Sequence, residues 1–547
     1  MMTLHKLTAG DGYTYLTRQV ATVDSTERGY SSLGDYYAAK GEAAGVWIGA
    51  QATEMGLAGT AVTEQQMKNL FGEGLHPDAD TIAQELIDAG VSAKKAAQAG
   101  KIGQKFPVFT AAAPQWHDNL ATAYRKYNLD RDLPAGDKVP EEAKQATRTA
   151  VGTAMFAKEF GREPRHEHEL AGYIARQSRP QSSAVAGYDL TFSPVKSVST
   201  LWAVAPVEVA AKIEAAHQAA VQGTLEWLET EAGYTREGTA GVSQIRIKGF
   251  LATAFTHRDS RAGDPDLHTH VAVSNKVETP DGRWLALDAR MLYRYNVPAS
   301  EQYNLLLEAE ITQRLGGRFA ERGDAGEGKR EIRELVGVPA ALNEHFSSRT
   351  VMINARRAEL VAQFQADHGR VPTAIERIAL SQTANLATRQ AKHEPMSLGE
   401  QRQLWQAYPE NICSDTPAVI VADVLGHTPE YADITPDLIA ELSSKVVQVV
   451  SGDRAQWREN NLSAEARRQA KAAGVHPAHT ADLATVVTPR VDSAASLLPI
   501  SALVMAAFAA ILLLISALSR ADSLLVTASG TAPRRDATRL ITLTSSR

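Results

Sequence analysis

The sequence FTHRDSRAGDPDLHTH at residues 255–270 carries three histidines on two strand-like segments. His257 ends the first segment, and His268 and His270 begin the second, after a loop rich in glycine, aspartate and proline. Side chains two residues apart in a strand project from one face, and a hairpin brings His257 alongside the other two. Three imidazoles on one face leave positions open for water or a phosphate oxygen, as metal catalysis requires. We therefore predict a metal site here.

A polar solvent-facing strand is the alternative for a His-x-His pair, and the third histidine argues against it. The chain holds another such pair, His166 and His168, at the start of the helical stretch 170–176. Residues two apart on a helix diverge by about 200°. We assign that second pair to solvent.

Strand signals concentrate around the histidines, between residues 184 and 287. Residues 188–193 alternate apolar and polar side chains, which places Asp189, Thr191 and Ser193 on one face. Ser193 and Pro194 then predict a helix start, with serine as the cap and proline at the first helical position. The remaining segments of this region are an amphipathic helix at 206–228 and the two hairpin strands, 243–256 and 267–277, joined by the loop 258–266.

Helical sequence surrounds this strand region. At the N-terminus a short strand at 3–7 and the turn 10–12 precede a helix that begins near Tyr13. Residues 77–165 are rich in alanine and charge and have helical spacing, which indicates a helical insertion. Beyond residue 298 the sequence is helical again, through 302–315, 351–364 and 373–388. This last part predicts a second, mainly α region.

Composition excludes several classes of protein. The chain has 547 residues, 44% of them hydrophobic and 22% charged, which are values of a folded protein with more than one domain. Its net charge of −6 provides no general affinity for nucleic acid, so any such affinity depends on local patches. Cys413 is the only cysteine, which excludes an intrachain disulfide and a cysteine-rich zinc module.

The run from His257 through DPDLHTH to Asn275 resembles the three-histidine motif of the MobF class of conjugative relaxases, the TrwC-like branch of the HUH endonucleases. Two further segments agree with it in order: YDLTFSPVKSVS at 188–199 and an N-terminal block that holds paired tyrosines. The resemblance covers roughly residues 1–316 and extends more weakly to about 481.

The resemblance implies an α+β fold, with an antiparallel five-stranded HUH-type sheet flanked by helices. We expect a relaxase domain at 1–316 that contains the helical insertion of about 77–165. A mainly helical region at 317–481 and an irregular tail at 482–547 would follow it. The sequence contains no Gly-x-x-x-x-Gly-Lys-Ser/Thr motif, so we expect a relaxase without an ATP site or helicase motor.

In the resembling family a tyrosine from an early helix attacks the scissile phosphate and forms a 5′-phosphotyrosine. The candidates here are Tyr13 and Tyr15, and the chain has Tyr-Thr-Tyr where the family usually has adjacent tyrosines. We favour Tyr13, because Leu16 and a valine at i+7 give this helix edge a packing face. Tyr36 and Tyr37 are candidates for a second nucleophile. The alternative for each tyrosine is an aromatic that packs or stacks on DNA.

Polar residues near the motif complete the expected site. Asp189 would orient a metal-binding histidine or accept the tyrosine proton, unless it is an ordinary strand-edge aspartate. Lys196 and Ser197 fall in the first turn of a helix, where free amides favour a DNA phosphate. Arg246 and Lys248 alternate on the strand that leads to His257, as a backbone-binding face or a solvated one.

The apolar stretch 493–519 is long enough to span a bilayer. Its arginine-rich C-terminal flank would place the catalytic region outside the cytoplasm under the positive-inside rule, which does not suit a DNA-processing protein. A membrane anchor and an atypical tail therefore stay open. Residues 1–16 show no signal peptide, so we expect a cytoplasmic catalytic region.

The expected function is site-specific nicking and religation of one DNA strand at a plasmid or integrative-element transfer origin, which initiates conjugation. The expected partners are single-stranded or cruciform origin DNA, relaxosome proteins, a coupling protein and a separate helicase. Mg²⁺ or Mn²⁺ is the expected metal, and Zn²⁺ or Ni²⁺ also suits three histidines. The alternatives are a metal-dependent phosphodiesterase with structural tyrosines and a non-catalytic module that binds the origin.

Overall fold

The computed structural model describes residues 1–14, 16, 44–106, 114–135, 137, 139–177, 184–323, 330–388, 396–427, 430–453, 457–476, 479–480 and 483. Three of the candidate tyrosines, Tyr15, Tyr36 and Tyr37, lie outside these residues, as does the apolar segment 493–519. Among the helices within the described ranges, none is both long and apolar enough to cross a membrane.

A five-stranded antiparallel sheet, in the order β1-β3-β7-β6-β2, forms the centre of the fold. Within the described residues, the two-stranded sheets β4-β5, β8-β9 and β10-β11 lie outside it. The strands are β1 (Met2–Thr8), β2 (Val46–Ile48), β3 (Val185–Phe192), β4 (Tyr234–Glu237), β5 (Ser243–Arg246), β6 (Ala252–Asp259), β7 (Pro265–Ser274), β8 (Lys276–Glu278), β9 (Trp284–Ala286), β10 (Phe319–Glu321) and β11 (Arg333–Leu335). The predicted α+β class with a five-stranded antiparallel sheet is confirmed.

Helices cover both faces of this sheet and make up the insertion and the C-terminal part. They are α1 (Ala50–Glu54), α2 (Glu64–Met67), α3 (Ala79–Asp88), α4 (Ala93–Ala99), α5 (Pro114–Leu129), α6 (Glu141–Phe160), α7 (Glu167–Gln177), α8 (Lys196–Val204), α9 (Val207–Ala232), α10 (Ala289–Leu315), α11 (Ala340–His345), α12 (Ser348–His368), α13 (Ala374–Ala387), α14 (Leu398–Gln406), α15 (Tyr408–Cys413), α16 (Pro417–Val424), α17 (Pro436–Asp453) and α18 (Glu459–Ala472). One turn of π-helix, Lys68–Glu73, continues α2.

One face of the sheet is apolar and packs on the long helices α9 and α10. Its residues alternate along each strand, as in Leu190 and Phe192 of β3 and Val271 and Val273 of β7, and all four are buried in the largest hydrophobic cluster. Burial of this face fixes the register, because a slip of one residue would expose all of these side chains.

The opposite face is divided between an apolar half and a polar half. Leu7, Phe255 and Ala272 belong to a second buried cluster that also contains Trp47 of β2 and Phe71 of the π-helical turn. Continuing along the same face of β6 and β7, the side chains become histidines. The polar half is therefore the part of the sheet that this layer of helices leaves accessible.

The predicted strand 243–256 is wrong, because the structure divides it into β5 and β6. The backbone amide of Phe250 donates to the Glu229 carboxylate (2.7 Å). A Cβ atom at Gly249 would lie 2.5 Å from that of Ala50, so glycine permits the close approach of α1 here. The turn sends β5 away from the main sheet to pair with β4. The strand predicted at 267–277 likewise ends at Ser274, and β8 pairs elsewhere.

The helix predicted to start at Ser193 and Pro194 starts later, at Lys196. Ser193 precedes a proline, which disfavours helical backbone at that position. The backbone amide of Ser193 instead donates to the carbonyl of Met1 (2.9 Å), which extends the pairing of β1 and β3 by one residue. Lys196 and Ser197 still fall in the first turn of α8.

The described residues within 77–165 are mainly helical, through α3 to α6. The boundary predicted at residue 316 does not coincide with a break in the packing. Leu335, Phe346 and Trp405 lie in the same buried cluster as the sheet residues of β3 and β7. The helical region beyond residue 316 is thus joined to the sheet by a continuous hydrophobic core, which runs on to Val424.

The turn between β6 and β7 is held by these later helices. The Asp264 carboxylate accepts hydrogen bonds from Ser348 Oγ (2.7 and 2.8 Å) at the first residue of α12. Trp405 Nε1 donates to the carbonyl of Gly263 (3.0 Å), and Gln401 donates to the Asp259 carboxylate (2.8 Å). The hairpin that carries the three histidines is therefore fixed at its tip as well as along its strands.

We expect the substitution Asp264→Ala to destabilise the protein by about 1–2 kcal/mol, since it removes charge-assisted hydrogen bonds at a helix N-terminus. Urea denaturation followed by circular dichroism measures this effect. Asp367→Ala, at the exposed C-terminal end of the same helix, is the control and should change stability by less than about 0.5 kcal/mol. Equal stabilities for the two variants would show that the tip contact contributes nothing.

Candidate metal centre

The sheet register brings the three predicted histidines together on the polar half-face. His257 of β6 lies directly opposite His268 of β7, and His270 follows two residues later on the same strand. The ring centroids of His257 and His268 are 5.3 Å apart, those of His257 and His270 are 5.3 Å apart, and those of His268 and His270 are 5.2 Å apart. The three imidazoles thus form a nearly equilateral triangle.

This spacing fits three imidazoles around one ion. Ligating nitrogens lie about 2.0–2.1 Å from a first-row metal, so tetrahedral angles place the ring centroids about 5.2–5.3 Å apart. Within the described ranges, however, no group of three or more His, Cys, Asp or Glu side chains has its ligating atoms set for an ion. The positions of the rings are suitable, and coordination requires that the rings turn to bring their nitrogens together.

Asp189 fixes the orientation of His270. His270 Nδ1 lies 2.9 Å and 3.1 Å from the two carboxylate oxygens of Asp189, and 3.1 Å from Thr191 Oγ1. The Asp189 side chain is 2% exposed, so its carboxylate lies in the wall of the site. A carboxylate that accepts from Nδ1 selects the tautomer whose Nε2 carries the lone pair, which is the form that binds metal.

His268 has the same tautomer for a different reason. Its Nδ1 lies 2.6 Å from the backbone carbonyl of Asp266, and a carbonyl can only accept, so Nδ1 carries the proton. Metal binding by His268 would therefore also use Nε2. Both imidazoles of β7 are oriented by hydrogen bonds of the kind that supports metal ligands in proteins.

Tyr13 lies on the same side of the sheet as the histidines. Its ring is 6% exposed and belongs to the buried cluster that contains Leu7, Phe71 and Phe255. Leu16, one of the two residues predicted to pack along this helix edge, is also buried, and the other, Val20, lies outside the described residues. The other candidate nucleophiles lie outside the described residues.

Lys196 and Ser197 are engaged by the protein itself. Lys196 Nζ donates to the carbonyl of Pro265 (2.6 Å), and burial lowers the pKa of this amine while Asp266 and Asp264 oppose the shift. The fully buried Ser197 donates from its hydroxyl and its backbone amide to Glu334 Oε2, at 2.5 and 3.0 Å. Near this helix start a carboxylate occupies the place predicted for a phosphate.

Arg246 and Lys248 do not lie on the five-stranded sheet. Arg246 ends β5, donates to the carbonyl of Thr230, and lies over the ring of Tyr234 at 4.7 Å. Lys248 Nζ bridges the carboxylates of Glu54 (2.7 Å) and Glu278 (3.0 Å). A DNA phosphate would compete with two carboxylates for Lys248. The ammonium group of Lys248 is therefore already paired within the protein and does not form an open anion site.

Two histidines near the site were missed in the sequence. His5 of β1 is paired with Asp189 in the register and is exposed. His217 of α9 is fully buried and lies 2.8 Å from Thr269, between two of the predicted ligands. Alternation along residues 3–7 could have placed His5 on a face, but only the strand order shows what lies beside it. His166 and His168 are exposed, as predicted.

Part of this chain is similar in sequence to known proteins. The matching region is 36% identical over 173 residues to a multifunctional conjugation protein TraI of Escherichia coli, and 33% identical to that of strain K12. Each match covers 30% of this chain and 9% of the relative, so the chain spans about a tenth of these relatives.

Solved structures of the conjugative relaxase TrwC with oriT DNA match more of the chain at lower identity. A copper-bound complex is 23% identical, covers 75% of this chain and 98% of its own, and has a TM-score of 0.40. A complex with a 27-mer DNA that comprises the recognition hairpin and cleavage site is 22% identical, covers 75% of this chain and 98% of its own, and has a TM-score of 0.39.

The family assignment rests on a sequence profile instead. The profile of the TrwC relaxase matches residues 9–412, which is well over half of the chain and includes the three histidines and Asp189. The chain therefore belongs to the TrwC relaxase family.

Proposed function

We propose that this protein nicks and religates one DNA strand at the transfer origin of a plasmid or integrative element, and so initiates conjugative transfer. The observation that carries the proposal is the triangle of histidines beside buried Asp189, in a chain of the TrwC relaxase family. The relatives named for conjugation and the TrwC complexes with oriT DNA support this choice of substrate.

His257, His268 and His270 would hold the metal, each through one ring nitrogen. A bound divalent ion would polarise the scissile phosphate and offset the charge that develops on its oxygens. Asp189 would keep His270 in the ligating tautomer through the 2.9 Å contact. It would also be placed to accept a proton from an incoming hydroxyl, since a carboxylate oxygen can serve both purposes.

Tyr13 is our proposed nucleophile, with Tyr15 as the alternative. Attack by the phenolic oxygen on the scissile phosphorus would form a 5′-phosphotyrosine and release a 3′-hydroxyl, with no water consumed. The bond energy stays in the phosphodiester, so the reverse attack by a 3′-hydroxyl would religate the strand. Tyr36 and Tyr37 stay proposals for a second transfer step.

The DNA contacts of Lys196, Ser197, Arg246 and Lys248 also stay proposals, and the protein contacts of these residues argue for structural roles at Ser197 and Lys248. Mg²⁺ or Mn²⁺ is our proposed metal. We propose accessory relaxosome proteins, a coupling protein and a separate helicase as partners, and a cytoplasmic location. A membrane anchor at 493–519 stays a hypothesis that the described residues do not address.

The proposal is tested by incubating the full chain with single-stranded origin oligonucleotides, labelled at either end, with Mn²⁺, Mg²⁺ or EDTA. We expect a metal-dependent, denaturant-resistant adduct that retains the label downstream of the nick, and EDTA should abolish it. Cleaved strands without an adduct would favour the metal-dependent phosphodiesterase. Retention of uncut DNA in every condition would favour the non-catalytic module.

A further inference from the structure

His217 lies beneath the candidate metal centre, on the opposite side of the sheet. It belongs to α9 and is fully buried, and both of its ring nitrogens have a partner. Nδ1 lies 2.7 Å from the hydroxyl of Tyr303, and Nε2 lies 2.8 Å from Thr269 Oγ1. Burial lowers the pKa of this imidazole to about 3, so the ring is neutral and has one donor and one acceptor nitrogen.

Thr269 connects this histidine to the metal centre, because it lies between His268 and His270 in β7. Its side chain projects from the face opposite theirs. Its hydroxyl also lies 2.9 Å from Thr256 Oγ1 on the neighbouring strand, one residue before His257. Hydrogen bonds thus run from α10 through α9 to both strands that carry the candidate ligands.

The network is unusual for its surroundings. On the same face of β7, Leu267, Val271 and Val273 are apolar and buried, as expected for a strand packed on helices. A buried hydroxyl or imidazole costs free energy unless its polar atoms have partners, so these side chains are held within hydrogen-bonding distance of one another. Apolar packing tolerates small shifts, whereas hydrogen bonds restrict both distance and direction.

We propose that His217 is a positioning residue for the metal centre, which acts through Thr269 to set where β7 holds His268 and His270. This inference rests on the proposed function, because it assumes that the histidines bind a metal. A shift of β7 toward or away from α9 would move both imidazoles relative to His257. Outer partners that hydrogen-bond a ligand change metal affinity without touching the ion, and Thr269 would act in the same sense through the strand that it shares with two of the ligands.

The experiment measures the Mn²⁺ affinity of the full chain by isothermal titration calorimetry, without DNA. Thr269→Val is the main variant, since it keeps the shape of the side chain and removes the hydroxyl. We expect it, and His217→Leu, to weaken Mn²⁺ binding by roughly 10–100-fold. Thr269→Ser keeps the hydroxyl and should bind within about twofold of the wild type.

Thr224→Val is the matched control for destabilisation. Thr224 is fully buried two turns further along the same helix, and its hydroxyl donates to the carbonyl of Ala220 within that helix (2.7 Å). This variant should lose stability in thermal unfolding but keep its Mn²⁺ affinity. The double variant of His217→Leu and Thr269→Val should lose no more Mn²⁺ affinity than the weaker-binding of the two single variants, because both substitutions remove the same contact between His217 and Thr269.

The two hypotheses fail in different ways. If the wild type binds no Mn²⁺, the metal site of the proposed function is overturned and the inference falls with it. If the wild type binds and Thr269→Val binds equally well, the inference alone is overturned. A loss of affinity in Thr224→Val as large as that in Thr269→Val would also overturn it, since general loosening of the core would then explain both.

Discussion

Replacing His270 with alanine should lower the rate of metal-dependent strand cleavage by on the order of 10³-fold. The substitution removes one of three proposed ligands. It also leaves the Asp189 carboxylate, which is 2% exposed, without the imidazole that lies 2.9 Å from it. Single-turnover cleavage of an origin oligonucleotide at saturating Mn²⁺ measures the effect.

The chain offers a matched control for this variant in its second His-x-His pair. His168 is exposed on α7, and His168→Ala removes an imidazole without touching the sheet. We expect this variant to cleave at the wild-type rate. Cleavage by His270→Ala within about tenfold of the wild-type rate would contradict a metal-binding role for that histidine, provided that both variants unfold at the same temperature as the wild type.

Tyr13→Phe should abolish the covalent adduct between protein and DNA, and we expect no other single substitution to reduce adduct formation more. Phenylalanine keeps the ring that packs against Leu7 and Phe71, so the fold should be preserved, and only the attacking oxygen is lost. Denaturing electrophoresis of the reaction with labelled DNA measures the adduct, and binding of uncut DNA should be unchanged.

Variants of the other tyrosines separate the possibilities. Tyr15→Phe, Tyr36→Phe and Tyr37→Phe should each still form the first adduct, and Tyr124→Phe in the helical insertion is a control for loss of a tyrosine hydroxyl elsewhere. An adduct that survives in Tyr13→Phe and disappears in Tyr15→Phe would transfer the role to Tyr15. Survival in all of them would contradict a tyrosine nucleophile at these positions.

The sequence was sufficient to predict that the three candidate histidines lie together, because their contacts are local. A hairpin aligns residues that are near in sequence, so His257, His268 and His270 meet through pairing that alternation alone suggests. The position of Asp189 on the face of its strand could also be predicted, since that strand alternates clearly between apolar and polar residues. Which of the three histidines Asp189 contacts could not be predicted, because the pairing of β3 with β7 joins residues about 80 positions apart.

The errors came from interactions that no local pattern contains. The split of the predicted strand 243–256 depends on Glu229, a side chain of α9 that accepts the amide of Phe250. The hydrogen bond of Ser197 to Glu334, on a strand far along the sequence, was likewise not indicated by the position of Ser197 in a first helical turn. His217 resembles any other polar residue of an amphipathic helix until the sheet is packed against it.

A strand-transfer assay distinguishes cleavage by transesterification, which we propose, from cleavage by hydrolysis. The full chain is incubated with a short origin oligonucleotide and Mn²⁺, and a second origin strand of different length, which ends in a 3′-hydroxyl at the nick site, is then added without ATP. If cleavage is a transesterification, we expect recombinant strands that join the new 3′-end to the downstream segment held on the protein. Downstream fragments that end in a free 5′-phosphate, with no recombinant strand, would contradict it.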